Sequence, residues 1–286
     1  MKCLFALSLL VLLSCKEKDK IILDPPKEGP IEEEQFSGVT LSADGKEDTY
    51  SLINRVLGGS GDVIEAPDLS HPNFGKHITQ VFDNELQKYV FAFHIHVTPD
   101  NDKGNDSDRQ RNEIKTYDRS PANLKATINE TVKYIWKFKL DEGFKPSQDF
   151  THIHQIKPTD GDATLPIITL TARYKASGDV LELIHTGSTD ATSKKYLASI
   201  PLSYFKGNWV EVEEKITYAS KGKHEILIKR IKDGKVLLNK ATNDIDMWRE
   251  GTTTCRPKWG IYRRLLQPQM LRDETVFFND FNITEL

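Results

Sequence analysis

Arg111-Asn112-Glu113-Ile114-Lys115, His152-Ile153-His154-Gln155 and Lys258-Trp259-Gly260-Ile261-Tyr262 lie far apart in the chain, yet each reads as a β-strand carrying cationic or proton-exchanging side chains. Successive residues of a strand point to opposite faces, so several such strands side by side would aim Arg, His, Gln, Lys and Tyr at one surface. That set suits an acidic sugar better than an apolar partner. Guanidinium and ammonium groups pair with carboxylates, and a His or Tyr beside them can move a proton.

In the first segment, alternation gathers Arg109, Arg111, Glu113 and Lys115 on one face, with Glu113 keeping its cationic neighbours charged and positioned. Asn112 is a further substrate-binding candidate. In the middle segment, His152 and His154 share one face, while Gln155 and Lys157 share the other with Ile153. His154 and Gln155 can therefore line the same groove only if a bulge or strand end intervenes. In the third segment Lys258, Gly260 and Tyr262 share a face; the glycine leaves room for a ligand to approach the backbone. Lys258, Arg263 and Arg264 around Tyr262 are expected to lower its phenol pKa and ready it for proton exchange.

Two metal readings arise from the same stretch of sequence. His94 and His96 form a second His-x-His pair, so a four-histidine zinc site with His152 and His154 is weighed, although no carboxylate or cysteine is placed with them. Between Asp100 and Asp108, Asp100, Asp102 and Asp106 are candidate ligands for a structural calcium. Against the EF-hand pattern, however, the glycine comes one position early and Arg111 stands where the bidentate Glu belongs. A solvated turn is the plainer reading, and no cofactor is required.

About ten segments of alternating pattern can position these residues. They are 89–97, 108–115, 131–140, 150–157, 165–174, 180–185, 209–218, 225–231, 235–240, 258–263 and 275–283, separated by turns such as Ser177-Gly178-Asp179 and Lys232-Asp233-Gly234-Lys235. With no long helix among them, an all-β jelly roll of two antiparallel sheets with a concave groove is the expected architecture. One short helix is expected where Asp48 caps residues 49–57 and Gly58-Gly59 ends it.

The chain opens with Met-Lys, an apolar run from Leu4 to Leu13, and Leu12-Leu13-Ser14-Cys15 before a charged stretch. The run is too short to span a bilayer and reads as a signal peptide. Residues 1–14 are expected to be a lipoprotein signal, Cys15 the lipidated first residue of the mature protein, residues 15–38 a Pro-rich charged tether, and 39–286 the folded domain. An exported lipoprotein at the outer membrane or cell surface of a Gram-negative bacterium follows. The mature chain would hold a single free thiol, Cys255, which excludes a disulfide framework. A net charge of −3, from 39 basic and 42 acidic residues, names no partner in bulk and gives no reason to expect nucleic acid. A monomer is expected.

Taken together, Arg111-Asn112-Glu113-Ile114-Lys115, His152-Ile153-His154 and Lys258-Trp259-Gly260-Ile261-Tyr262 resemble, in the same order, the Arg-x-Glu-Leu-Arg, Gln-Ile-His and Lys-x-Gly-x-Tyr motifs of jelly-roll polysaccharide lyases of the alginate lyase type. From about Val81 onward the chain looks more like the ulvan lyases of polysaccharide lyase family twenty-eight. His152 replaces the family's Gln, and Lys115 its last Arg. The resemblance implies β-elimination on a uronate: Tyr262 as acid, and as base where the C5 proton and O4 lie on the same side; His154 as base where they lie on opposite sides. Arg111, Gln155 and His152 are then the candidates for neutralising the carboxylate. Arg109, Asn112, Glu113, Lys115, Lys258, Arg263, Arg264 and His96 would bind an acidic, sulfated polysaccharide, with ulvan ahead of alginate and glucuronan. A hydrolase needs two carboxylates at defined separation, and the three motifs supply only Glu113. The rival from another class is a non-catalytic carbohydrate-binding lipoprotein.

Overall fold

Thr131 to Leu140 shows how the sequence dictates the fold: Val132, Tyr134, Trp136, Phe138 and Leu140 are buried while the lysines between them stay partly exposed, the period of two that a half-buried strand requires. A computed structural model describes residues 38–59, 63–105, 108–188 and 190–286. Its strands are β1 (Val39–Leu41), β2 (Ile64–Glu65), β3 (Ile78–Asp83), β4 (Lys88–Ile95), β5 (Arg109–Lys115), β6 (Thr131–Leu140), β7 (Thr151–Pro158), β8 (Ile168–Arg173), β9 (Val180–Thr186), β10 (Lys194–Pro201), β11 (Val210–Thr217), β12 (Gly222–Arg230), β13 (Val236–Ile245), β14 (Cys255–Arg264) and β15 (Glu274–Glu285).

They form two antiparallel sheets. One runs β13-β12-β11-β6-β15-β4-β3, with β1 also paired to β15; the other runs β10-β9-β8-β7-β14-β5-β2. The expected jelly-roll architecture is what the chain adopts. Between the sheets lies one apolar core. Phe91, Trp136, Phe138, Val212 and Phe278 from the first sheet meet Ile114, Ile153, Ile156, Leu170, Leu183, Trp259 and Ile261 from the second.

The helix α1 (Thr49–Leu57) forms where expected. The Asp48 carboxylate accepts from the Ser51 N–H at 3.0 Å, and Gly58 closes the helix in the left-handed region, donating to the Asn54 carbonyl. Four strands had no signal in the sequence reading: β1, β2, β3 and β10. The first two are only three and two residues long, and β3 and β10 are sheet edges. In β10 most side chains of Lys194-Lys195-Tyr196-Leu197-Ala198-Ser199-Ile200-Pro201 face solvent, as edges that avoid aggregation do.

The described residues belong to one compact unit spanning 36–286. The expected signal, Cys15, the tether up to residue 37 and Asp106 lie outside the described residues. Among those described, no helix is long and apolar enough to cross a membrane.

Candidate active site

The three chemistry-bearing segments become neighbours. β14 lies between β7 and β5, with Tyr262 opposite Arg111, Gly260 opposite Glu113 and Lys258 opposite Lys115. Ile114, Trp259 and Ile261 enter the core, so Arg109, Arg111, Glu113, Lys115, Lys258 and Tyr262 project from the outer face of the sheet.

β7 breaks the alternation. Along β14, His154 is paired with Trp259 but His152 with Tyr262; along β8, His154 is paired with Leu170 and His152 with Thr171. This bulge places Ile153 and His154 both inward, and it returns His152 to the outer face on which Gln155 lies. The side chains bear this out. Gln155 donates to Glu113 Oε1 at 2.5 Å, and the His152 ring lies 5.9 Å from that of Tyr262 and 4.6 Å from that of Phe150. His154, 1% exposed, sits between the sheets. Its Nδ1 donates to the Lys258 carbonyl at 2.8 Å and its Nε2 meets Glu214 at 2.9 Å, while His224 holds the other Glu214 oxygen at 2.7 Å. Burial opposes ionisation of Glu214, but the two imidazoles hold its carboxyl down to about 2. The expectation that His154 faces the substrate is therefore overturned: the bulge exchanges it for His152.

A charge-balanced floor underlies the outer face. Lys258 Nζ meets Glu65 at 2.5 Å and Glu113 at 2.6 Å; Lys115 Nζ meets Glu65 at 2.8 Å; Arg111 meets Glu113 at 2.8 Å and Asp102 at 2.8 Å. Despite burial, these cations hold Glu65 well below the usual carboxylate range and keep Glu113 lowered, and the carboxylates hold the Arg111 guanidinium above its ordinary value. Burial wins at Lys115, whose ammonium is pushed down to about 8, and at Lys157, also brought to about 8 with help from Lys258 and Arg111. Arg111 lies face-on to the Tyr262 ring, 3.7 Å from its centroid.

Protonation of the two groups above the floor is set by their surroundings. Burial raises the Tyr262 phenol, outweighing Arg111 and Arg109, so the expected lowering does not occur; Arg109 Nη1 donates to its oxygen at 3.2 Å. Burial pushes the His152 imidazole down to about 3, with Arg173, Arg111 and Lys258 adding to the effect. The Thr171 hydroxyl donates to Thr169 at 2.8 Å and lies 2.8 Å from His152 Nδ1. With its own proton committed, Thr171 accepts from Nδ1–H, which leaves the lone pair on Nε2. Tyr262 is thus a stored proton and His152 a neutral base.

Other expected site residues lie elsewhere. Asn112 is fully buried and donates to the carbonyls of His77 and His94, because its position in β5 faces the core. Arg263 also points inward; its Nε donates to Gln110 and its Nη1 to the Arg272 carbonyl. Arg264 stays on the outer side but is held by Asp108 and Asp149. The space at Gly260 is taken by β5, since a Cβ there would stand 2.1 Å from the Asn112 carbonyl oxygen, so it offers a ligand no approach. His96 leaves the sheet at the end of β4 and bonds Asp100 through its backbone N–H and Nδ1.

Of the calcium candidates, Asp100 turns to histidines and Asp102 grips Arg111, while Asp106 lies outside the described residues. The four-histidine set does not come together, for His94 lies between Thr79 and Thr275 while His152 and His154 lie on opposite faces. Glu65, Thr171 and Arg173 join the outer face without having been singled out, and Asp102 joins it as the ion-pair partner of Arg111. Alternation in β8 does place Thr169, Thr171 and Arg173 together, whereas the two residues of β2 carry no periodicity to find Glu65 by.

A family model described as polysaccharide lyase matches residues 75–282, which include all three segments. The chain belongs to the polysaccharide lyase family. Solved structures similar to this lyase include the PL-14 alginate lyase from Aplysia kurodai, with a TM-score of 0.57, 12% identity, and coverage of 88% of this chain and 100% of that one. Another is the family 7 alginate lyase A1-II', solved with its product, at 0.54, 13%, 78% and 94%. The endo-β-1,4-glucuronan lyase from the fungus Trichoderma reesei gives 0.50, 14%, 72% and 86%. At such identities the likeness is one of fold. A search of curated proteins found no match to this lyase.

Proposed function

We propose that this polysaccharide lyase cleaves ulvan by β-elimination, with His152 taking the C5 proton of the uronate and Tyr262 giving its proton to the departing O4. The observation that carries this reading is the cross-strand pairing of Tyr262 with His152 on the outer face, one held protonated and the other neutral with its Nε2 lone pair available. The C5 proton is poorly acidic beside an ionised carboxylate, so negative charge must be dispersed in the transition state. Arg111 and Gln155 suit that task. Glu113 holds both, and counting donors leaves one N–H on each: four of the five on Arg111 and one of the two on Gln155 are engaged. Glycoside hydrolysis would need a carboxyl with a raised pKa as acid, and those of Glu65 and Glu113 are lowered instead.

A Tyr that retains its proton leaves the base role to His152, which suits a uronate whose C5 proton and O4 lie on opposite sides. Iduronate in ulvan has that geometry. The exposed guanidiniums of Arg109 and Arg264, beside the pair, suit its sulfates. Incubation with ulvan, alginate and glucuronan, followed by ultraviolet absorbance of the new C4–C5 double bond, tests the proposal. Fastest increase on ulvan is expected. Faster cleavage of alginate would move the substrate assignment, and no increase on any polyuronate would leave a binding module. We further propose that Cys15 anchors the mature lyase to a membrane; a Cys15→Ser variant is then expected in the soluble fraction of expressing cells.

A further inference from the structure

Among the described residues, one cluster of side chains away from the outer face has the composition and geometry of a coordination site. His71, His77, His96 and Asp100 each present a ligand atom, and these atoms lie within 4.8 Å of one another. His71 Nδ1 stands 2.9 Å from Asp100 Oδ1, His77 Nε2 3.3 Å from the same oxygen, and His96 Nδ1 3.1 Å from Oδ2. His77 and Asp100 are fully enclosed as side chains, whereas His71 and His96 reach solvent at 24% and 19%. Phe74 closes the top, its ring 4.4 to 5.5 Å from the three imidazoles.

We propose that His71, His77, His96 and Asp100 bind a divalent transition metal of the zinc class. Three imidazoles and one carboxylate are the donor set and number of a tetrahedral zinc site. Calcium would need six to eight oxygens, and this cluster supplies one carboxylate. His77 gives the second, independent sign. Its Nε2 is buried and faces the cluster, 3.3 Å from Asp100 Oδ1 but without a well-directed hydrogen bond, while its Nδ1 lies 2.7 Å from Asp68, which also accepts from the Tyr50 hydroxyl. A carboxylate behind Nδ1 fixes that proton and turns the Nε2 lone pair toward a metal, the arrangement that outer carboxylates give to metal-bound histidines. Charge also closes: a dication, Asp100 and Asp68 with neutral imidazoles sum to zero.

With all four positions supplied by protein, such a site joins chain segments rather than holding a reactive water. The ion would tie the segment before β3, carrying His71 and His77, to the loop after β4. Gln110 already donates to three carbonyls of that loop, and the loop continues to Asp102, the partner of Arg111.

The test uses the full chain stripped with a chelator and titrated with zinc chloride, calcium chloride serving as the comparison. One zinc per chain is expected by calorimetry and elemental analysis, with affinity lowered at least about 100-fold in His71→Ala and in His96→Ala, both of which alter partly exposed side chains. Zinc should also raise the melting temperature of the wild type by several degrees while leaving that of His71→Ala unmoved, a readout that requires no lyase activity. Sub-stoichiometric zinc, zinc binding undiminished in both folded variants, or stabilisation by calcium alone would overturn the proposal.

Discussion

Tyr262 and His152 act as a pair only because each is held in one protonation state. Tyr262→Phe removes the stored proton, and His152→Asn removes the base; each is expected to lower kcat by about 100-fold or more, the usual contribution of a positioned acid or base. His154→Gln tests the other half of the claim. It removes one partner from a buried charged group and is expected to lower the melting temperature, with a far smaller loss of kcat than His152→Asn; the reverse order of activities would return the base to His154. Thr171 is a positioning residue acting through His152. Thr171→Val frees the imidazole to take the wrong tautomer, so kcat should fall about tenfold with little change in KM, and Thr171→Ser should restore it. At this scale much was legible. Arg111, Glu113, Lys258 and Tyr262 share a face as their spacing requires. The choice between His152 and His154 was not, because alternation counts residues along one strand and the bulge is fixed by pairing with two others.

At the scale of elements, β14 carries the argument. Its pairing with β5 is continuous while its pairing with β7 shifts, so one strand serves two registers. Gly260 permits this: its φ of 147° is open to glycine, and a Cβ would strike the Asn112 carbonyl oxygen and stand 2.7 Å from Glu113 Cα. Gly260→Ala is expected to destabilise the fold by about 2 kcal/mol or more, through backbone strain and overpacking together, measured by denaturant titration. Activity should fall with it, since Glu113 anchors Arg111 and Gln155. Strands with buried apolar faces, such as β6 and β11, were readable from period alone. The edge strands β3 and β10 were not, since neither shows the clear contrast between faces on which the reading depends, although the edge strand β13 was found as 235–240.

For the molecule as a whole, the sandwich encloses ionisable groups whose partners come from both sheets and the loops between them. Glu274 is the clearest case for stability. Burial raises its carboxyl to about 7 from an ordinary 4.5, against the Lys145 N–H and nearby Arg272 and Arg263, and its Oε2 has no partner. A raised pKa means that the folded state favours the proton. The stabilisation is complete below pH 4.5 and is lost as pH rises through 7, by up to about 3 kcal/mol for a difference of some 2.5 pH units. Glu274→Gln should flatten that fall between pH 5 and pH 8, as followed by denaturant unfolding at each pH. Fold class and the family resemblance were legible from the chain, because pattern and motif order survive without neighbours. The ionic floor was not, since Glu65 and Asp102 reach it from a two-residue strand and a loop.

The inward turn of His154 also has an optical consequence. Its ring lies 4.4 Å from the indole of Trp136 and 5.6 Å from that of Trp259, with Nδ1 at the Lys258 carbonyl and Nε2 beside Glu214. The ring thus bridges two indoles, Trp136 of one sheet and Trp259 of the other. Their ultraviolet emission is therefore expected to change as the two sheets part, a change that fluorescence during denaturant unfolding would read.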